Sequence, residues 1–391
     1  MIFLPAFGAN LPAGRAYVET LSHGEEAVSI GMDLPPGGMG LPEETDMLRE
    51  TATRVFADHF APRDLAAAEA GNWPAAGWAA VEDAGLTRAL VPEEAGGYGV
   101  DPAEALSILR AAGGAAVPLP LAETMMASWL LAQAGLAIPD GTMSVAPVLP
   151  GDALTATRDG DGWRITGTAG RIPWGRSAGA ISVLAEGPDG MVVACVPAGG
   201  WTVRTSANLA REPRDTLTFD TVVPRKAVGA TVVDAAQLRR LGAAARCQQM
   251  SGAMDHILAL TLQYALDRKQ FGKPIGKFQA VQQNLAIMAS QTAAASAAAD
   301  LAAEAVGHGM GMTAIAAGKL RCGEAAGTVA SLSHAIHGAI GFTYEHSLHY
   351  FTKRLWSWRD EFGGEAEWAL LLGRAAAERG PDNFWADMTT L

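Results

Sequence analysis

Residues 264–286 read YALDRKQFGKPIGKFQAVQQNLA. An apolar helix closes here in Asp267, Arg268 and Lys269, a Gly/Pro turn follows over Gly272–Gly276, and a second helix opens near Gln279. Upstream, Met250, Met254, Ile257, Leu258, Thr261 and Ala265 recur on one helical face. Downstream, one helical pattern runs from about Gln279 to Val306; after the breaker GHGMG at 307–311, another runs from about Thr313 to His337. Long adjacent helices joined by a short turn pack antiparallel, so this end of the chain is a helical bundle. The junction itself admits two readings. Cations, turn N–H groups and a helix N-terminus suit a diphosphate. Arg and Lys at a helix C-terminus also simply complement its dipole, and spacing alone favours this second reading.

Before the bundle the texture differs. From about Met143 to Val233 short β-prone runs replace helical spacing: Trp163–Thr168, Ile181–Ala185, Met191–Val196, Trp201–Thr205 and Thr216–Phe219. Asp159-Gly160, Asp161-Gly162 and Asp189-Gly190 are hairpin signals, so the expectation is a small antiparallel β domain. From Leu41 to about Gly135 short alanine-rich helices return, including Glu43–His59, Ala103–Ala112 and Ala122–Ala134, punctuated by Pro62 and Pro74. The expected class is α+β, in the order α–β–α. A leader covers residues 1–40, an N-terminal helical domain 41–140, a middle β domain 141–233 and a C-terminal helical domain 234–391. Residues 1–31 lack periodicity and a basic start, so the leader reads as disordered and as a poor signal peptide, with Met32 a plausible true start.

Of the 391 residues, 49% are hydrophobic and only 18% charged, below the roughly 25% usual for globular chains. A large core or a large subunit interface would absorb that surface. The apolar end with Trp356, Trp358, Trp368 and Trp385 points to oligomerisation through the C-terminal helices. Apolar runs near Leu130 and Leu370 are too short for a membrane span. A net charge of −12 disfavours nucleic acid. Three separated cysteines, Cys195, Cys247 and Cys322, fit a reducing cytoplasm. The pairs His334/His337 and His346/His349 sit one helical turn apart, but nothing completes a ligand set, and no metal is expected. Glycine-rich nucleotide loops and a G-x-S-x-G elbow are both missing.

The 264–286 stretch closely resembles the C-terminal signature of acyl-CoA dehydrogenases, with Arg268, Phe271, Gly272 and Gln279 in that family's spacing. VPEEAGGYG (91–99), DGWRITGT (161–168), TLTFDTVVPRKAVG (216–229) and HGAIGFTYEH (337–346) resemble further family segments, in the same order, over about residues 42–374. The last is similar to the branch that forms heteromeric dehydrogenases of steroid side chains. The resemblance implies FAD-dependent α,β-dehydrogenation of an acyl-CoA thioester, with an external electron acceptor and no membrane partner. A carboxylate takes the α proton and the flavin takes the β hydride. It also implies a cofactor shared between subunits, the ring on one β domain and the ADP half on the partner's C-terminal helices. Arg268 then matches the pyrophosphate arginine, Phe271 the flavin-packing phenylalanine, Gln279 a cofactor-bonding glutamine, and Gly338 and Gly341 the segment beside the adenosine.

Several positions depart from the family pattern. The flavin-ring loop is not recognisable in SVAPVLPGDALTATR (144–158), Ala335 replaces a glutamine, and Ala339 a second glycine. Of the two family locations for the base, one holds Phe362, with Glu361 beside it as the candidate, and the other holds Gly242, next to Ala243. The expectation is an acyl-CoA dehydrogenase working as one subunit of a heteromer. The rivals are a self-sufficient homo-oligomer using Glu361 and a scaffold without flavin.

Overall fold

A computed structural model of the chain describes residues 43–383 and 386. The expected leader, its start at Met1 or Met32, and Trp385 lie outside them.

The first part is helical: α1 (Glu43–His59), α2 (Pro62–Glu69), α3 (Ala75–Asp83), α4 (Pro102–Gly114) and α5 (Leu121–Gln133). Proline sits at the start of α2 and α4, where its missing N–H costs nothing. Asp101 caps α4 by accepting a hydrogen bond from the Ala103 N–H. α5 is buried along most of its length, including the carboxylate of Glu123.

Strands follow: β1 (Met143–Ala146), β2 (Ala153–Asp159), β3 (Gly162–Pro173), β4 (Ala180–Gly187), β5 (Gly190–Pro197), β6 (Trp201–Arg204), β7 (Arg214–Pro224) and β8 (Val228–Ala230). They form one sheet in the order β6-β7-β3-β2-β4-β5-β8, with β1 beside β4. Gly160-Asp161 and Pro188-Asp189 make the two tight hairpins, where Asp159 faces Gly162 and Gly187 faces Gly190. The sheet is not wholly antiparallel as expected: β1 and β2 pair parallel with β4. The chain enters β1 and β4 from the same side because Thr142 anchors both starts, its carbonyl accepting from the Gly179 and Ala180 N–H groups.

The C-terminal part holds α6 (Ala235–Asp267), a small hairpin of β9 (Lys269–Gln270) and β10 (Lys273–Pro274), then α7 (Gln279–Gly307), α8 (Met312–His337), α9 (Leu348–Asp360) and α10 (Glu365–Arg379). Asp234 and Gln237 form a reciprocal capping box that starts α6. From Leu241 to Met254 α6 is buried on all faces, which makes it the central post of the fold. Among the described residues no helix is long and apolar enough to cross a membrane.

α4 and α6 cross where glycines let their backbones touch. A Cβ on Gly252 would stand 1.9 Å from the Arg110 carbonyl oxygen, and one on Gly113 2.0 Å from that of Gln249. The obstructing atoms are main chain and cannot swing aside. Gly252→Ala is therefore expected to cost about 3 kcal/mol, the upper range of overpacking, despite alanine's better helix propensity. Urea unfolding monitored by circular dichroism checks this; unchanged stability would mean that the helices do not cross so closely.

Candidate functional site

α6 ends at Asp267, whose carboxylate is held one turn back by the Gln263 amide at 2.9 and 3.0 Å. Arg268 turns out of the helix, and its carbonyl accepts from the Ile275 N–H at 2.8 Å, closing the β9–β10 hairpin. At the hairpin tip Phe271 and Gly272 both have positive φ, and the Phe271 side chain is 91% exposed. α7 then opens with no side-chain cap from Phe278, so its first N–H groups lack helical partners.

A cleft of about 660 Å³ lies between this turn, the start of α7 and the end of α8. Arg268, Phe271 and Gly338 line it together with Tyr264, Asn284 and Ala335. Among the described residues no carboxylate pairs with Arg268. Gly338 has φ 65°, and a Cβ there would meet nothing within 4 Å, so bare backbone faces open space. Gln279 is the first residue of α7 and is exposed beside the cleft-lining Ala280. Gly341 is not brought to the cleft. It is buried, and a Cβ there would press to 3.0 Å on His337 and 3.2 Å on His334 and Leu348. A cation, free helix N–H groups and an unobstructed glycine fit the phosphates and adenosine of a dinucleotide.

The histidines nearby are engaged locally. His337 bonds the Ser333 carbonyl oxygen at 2.8 Å and stacks on Tyr264, while His334 bonds the Thr352 hydroxyl at 2.9 Å and stacks on Phe342 and Trp356. Burial lowers the imidazoles below their ordinary range, His337 to about 4, so they are neutral at pH 7.

Glu361 lies elsewhere, directly after α9. Its carboxylate is buried and takes the Arg214 guanidinium two-pronged at 2.6 and 3.1 Å, Arg246 Nε at 2.8 Å and the Asn208 amide at 3.4 Å. Arg246 also reaches Glu123 at 2.5 Å. Arg214 and Arg354 share Glu212, each at 3.0 Å. The cluster thus balances three buried arginines against three buried glutamates and ties α5, α6, α9 and the start of β7 together. Burial alone would raise the Glu361 carboxyl; Arg214 and Arg246 overcome that and hold it down at about 2.

The next residue, Phe362, has φ 56°, and Gly363 has φ 104°. Three donors fix this turn. Trp368 Nε1 bonds the Phe362 carbonyl at 3.2 Å and Arg239 Nε bonds it at 3.3 Å, while the buried Lys319 ammonium bonds the Arg359 and Gly363 carbonyls at 2.6 and 2.8 Å. The turn drives the Phe362 ring onto α6. A Cβ on Gly242 would lie 2.3 Å from the ring. The two positions at which a base was sought are thus in mutual contact, filled by one buried aromatic side chain.

The sequence reading did not find Glu123, Glu212, Arg214, Arg246 or Arg354. The available signal was a lone charge inside an apolar run, Glu123 in LAETMMASWLLA and Arg246 in GAAARC, since such a residue requires a buried partner. Asn284, too, was not singled out; it lies within the helical pattern from about Gln279 to Val306.

The family described as acyl-CoA dehydrogenase, N-terminal domain, matches residues 42–137, and that described as acyl-CoA dehydrogenase, C-terminal domain, matches residues 231–363. Acyl-CoA dehydrogenase IpdE2 of Mycobacterium tuberculosis is 32% identical over 316 residues, spanning 80% of this chain and 91% of its own. A variant of the Tcur3481–Tcur3483 steroid acyl-CoA dehydrogenase superposes with a TM-score of 0.77 at 28% identity, covering 86% of this chain and 98% of that one. The ChsE4–ChsE5 complex of Mycobacterium tuberculosis shares the fold, with a TM-score of 0.80 at 24% identity over 88% of this chain and 100% of that one. Helical ends around a sheet and these matches together place the chain in the acyl-CoA dehydrogenase family of FAD-dependent oxidoreductases acting on CH–CH bonds.

Proposed function

We propose that this chain is one subunit of a heteromeric acyl-CoA dehydrogenase, holding the ADP half of an FAD whose ring and catalytic base belong to a homologous partner. The observation that carries this reading is Phe362 packed on Gly242, which leaves no carboxylate at either family position of the base. Glu361 is a poor substitute. Its oxygens are taken by Arg214 and Arg246, and a carboxyl held at about 2 is far too weak a base for a thioester α proton near neutral pH.

The middle domain supports the same division. Ser144 donates to the Pro173 carbonyl, Asp152 accepts from the Gly170 N–H, and Thr155 pairs with Thr166, so these polar side chains of the 144–158 segment are committed within the sheet. FAD, when bound, would supply a hydride acceptor, and an external electron acceptor would be needed to take its electrons. This chain's part is to hold the cofactor: Arg268 bonds the diphosphate, Phe271 packs against the cofactor, Gln279 bonds it, and Gly338 lets it approach the backbone. The two-component names of Tcur3481–Tcur3483 and ChsE4–ChsE5 favour an unlike partner, and the steroid acyl-CoA dehydrogenase named in the first favours a steroid acyl-CoA substrate. Buried free thiols at Cys247 and Cys322 suit a reducing cytoplasm.

Purified alone, the chain should be colourless and inactive, and it should become yellow and active when co-purified with its partner. In that complex Arg268→Ala should weaken FAD at least about tenfold, the loss of one charged hydrogen bond of about 1.5–3 kcal/mol. A yellow, active preparation of the chain alone, or unchanged FAD affinity in the variant, would overturn the assignment.

A further inference from the structure

Asn284 lies on α7 and lines the same cleft as Arg268 and Gly338. It is half-buried, and no hydrogen bond within the described residues engages its amide. At 1.5 Å per residue it stands about 7.5 Å along the helix beyond Gln279. With a diphosphate at the helix start beside Arg268, the nucleoside would have to reach that far along α7 for its base to meet Asn284. The opposite wall, on α8, carries Ala335, which offers no polar group.

Resting on the ADP-half reading above, we propose that Asn284 reads the adenine base. A carboxamide presents one acceptor and two donor hydrogens in a plane. It therefore pairs two-pronged with the adenine N6 amino group and N7. Hypoxanthine replaces that amino group with a carbonyl, so the Asn284 oxygen would face another acceptor and one hydrogen bond would be lost. The glutamine that the family carries at the position of Ala335 is thus replaced by an amide from the facing helix.

The test is isothermal titration of the purified chain with ADP and with IDP. The unmodified chain is expected to bind ADP on the order of tenfold tighter than IDP, as one net hydrogen bond predicts. Asn284→Leu should weaken ADP more than IDP and so abolish the discrimination between them, whereas Arg268→Ala should weaken both equally. Asn284→Ala removes the same amide and leaves a smaller side chain, so it tests the same loss should the leucine variant fold poorly. Discrimination that survives in both variants overturns the role of Asn284 while leaving the cleft assignment standing. Failure of both nucleotides to bind with Arg268 intact overturns the cleft assignment and this inference with it.

Discussion

Glu361→Gln is expected to lower folding stability by about 3–5 kcal/mol and to leave turnover of the assembled enzyme within a few-fold of its original value. Glutamine keeps the size but not the charge, so Arg214 and Arg246 lose the carboxylate they share in a buried site. Leaving buried cations short of a partner costs more than the pair contributed. The pH dependence has a definite sign. Glu361 is depressed to about 2 in the folded protein. Its contribution is therefore complete above its unfolded value of about 4.3 and is lost as pH falls from there through about 2. Roughly two units of depression correspond to about 3 kcal/mol at 1.36 kcal/mol per unit. Urea midpoints at pH 7, 4 and 3 should fall with acid in the original protein and fall less in the variant. Turnover is assayed in the complex with a panel of acyl-CoAs and an electron acceptor. Near-normal stability with a hundredfold loss of turnover would make Glu361 the base and end the half-site reading.

Elements with local signals were legible in the sequence. α7 begins at Gln279 because a Gly/Pro turn precedes it, and the two Gly-containing hairpins fall where their dipeptides placed them. β1 and β2 were not seen. All four residues of β1 are buried, so it shows no alternation, and the exposed positions of β2 are Ala153, Thr155, Thr157 and Arg158 in a stretch that reads as loop. From Leu241 to Met254 α6 is buried all round, which erases the 3.6-residue period that marks its later turns. The same physics divides the site. Arg268 and Phe271 sit in one contiguous signature, and Gly338 in another. The ionic cluster joins residues 123 and 147 apart in sequence, a pairing set by packing alone. Gly341 shows the limit of a motif, since its glycine serves close packing against His337 rather than the cleft.

The largest packing effect is expected at Phe362, where the fold and the missing base meet. Phe362→Ala empties a buried aromatic site and should cost about 3–5 kcal/mol. Gly242→Ala alone should cost about 1–3 kcal/mol, because its Cβ would stand 2.3–2.5 Å from three atoms of the Phe362 ring. The sign reverses when the two are combined. With the ring gone the new methyl enters free space, and alanine is worth up to about 1 kcal/mol over glycine within a helix. The double variant should therefore be no less stable than Phe362→Ala, giving a coupling of about 1–3 kcal/mol between the sites. Such coupling is the thermodynamic form of a single volume shared by the two family positions for the base, a volume this chain has filled with a phenyl ring. Equilibrium unfolding of the four proteins measures it. Costs that simply add would mean that ring and glycine do not meet, and that space for a carboxylate remains beside α6.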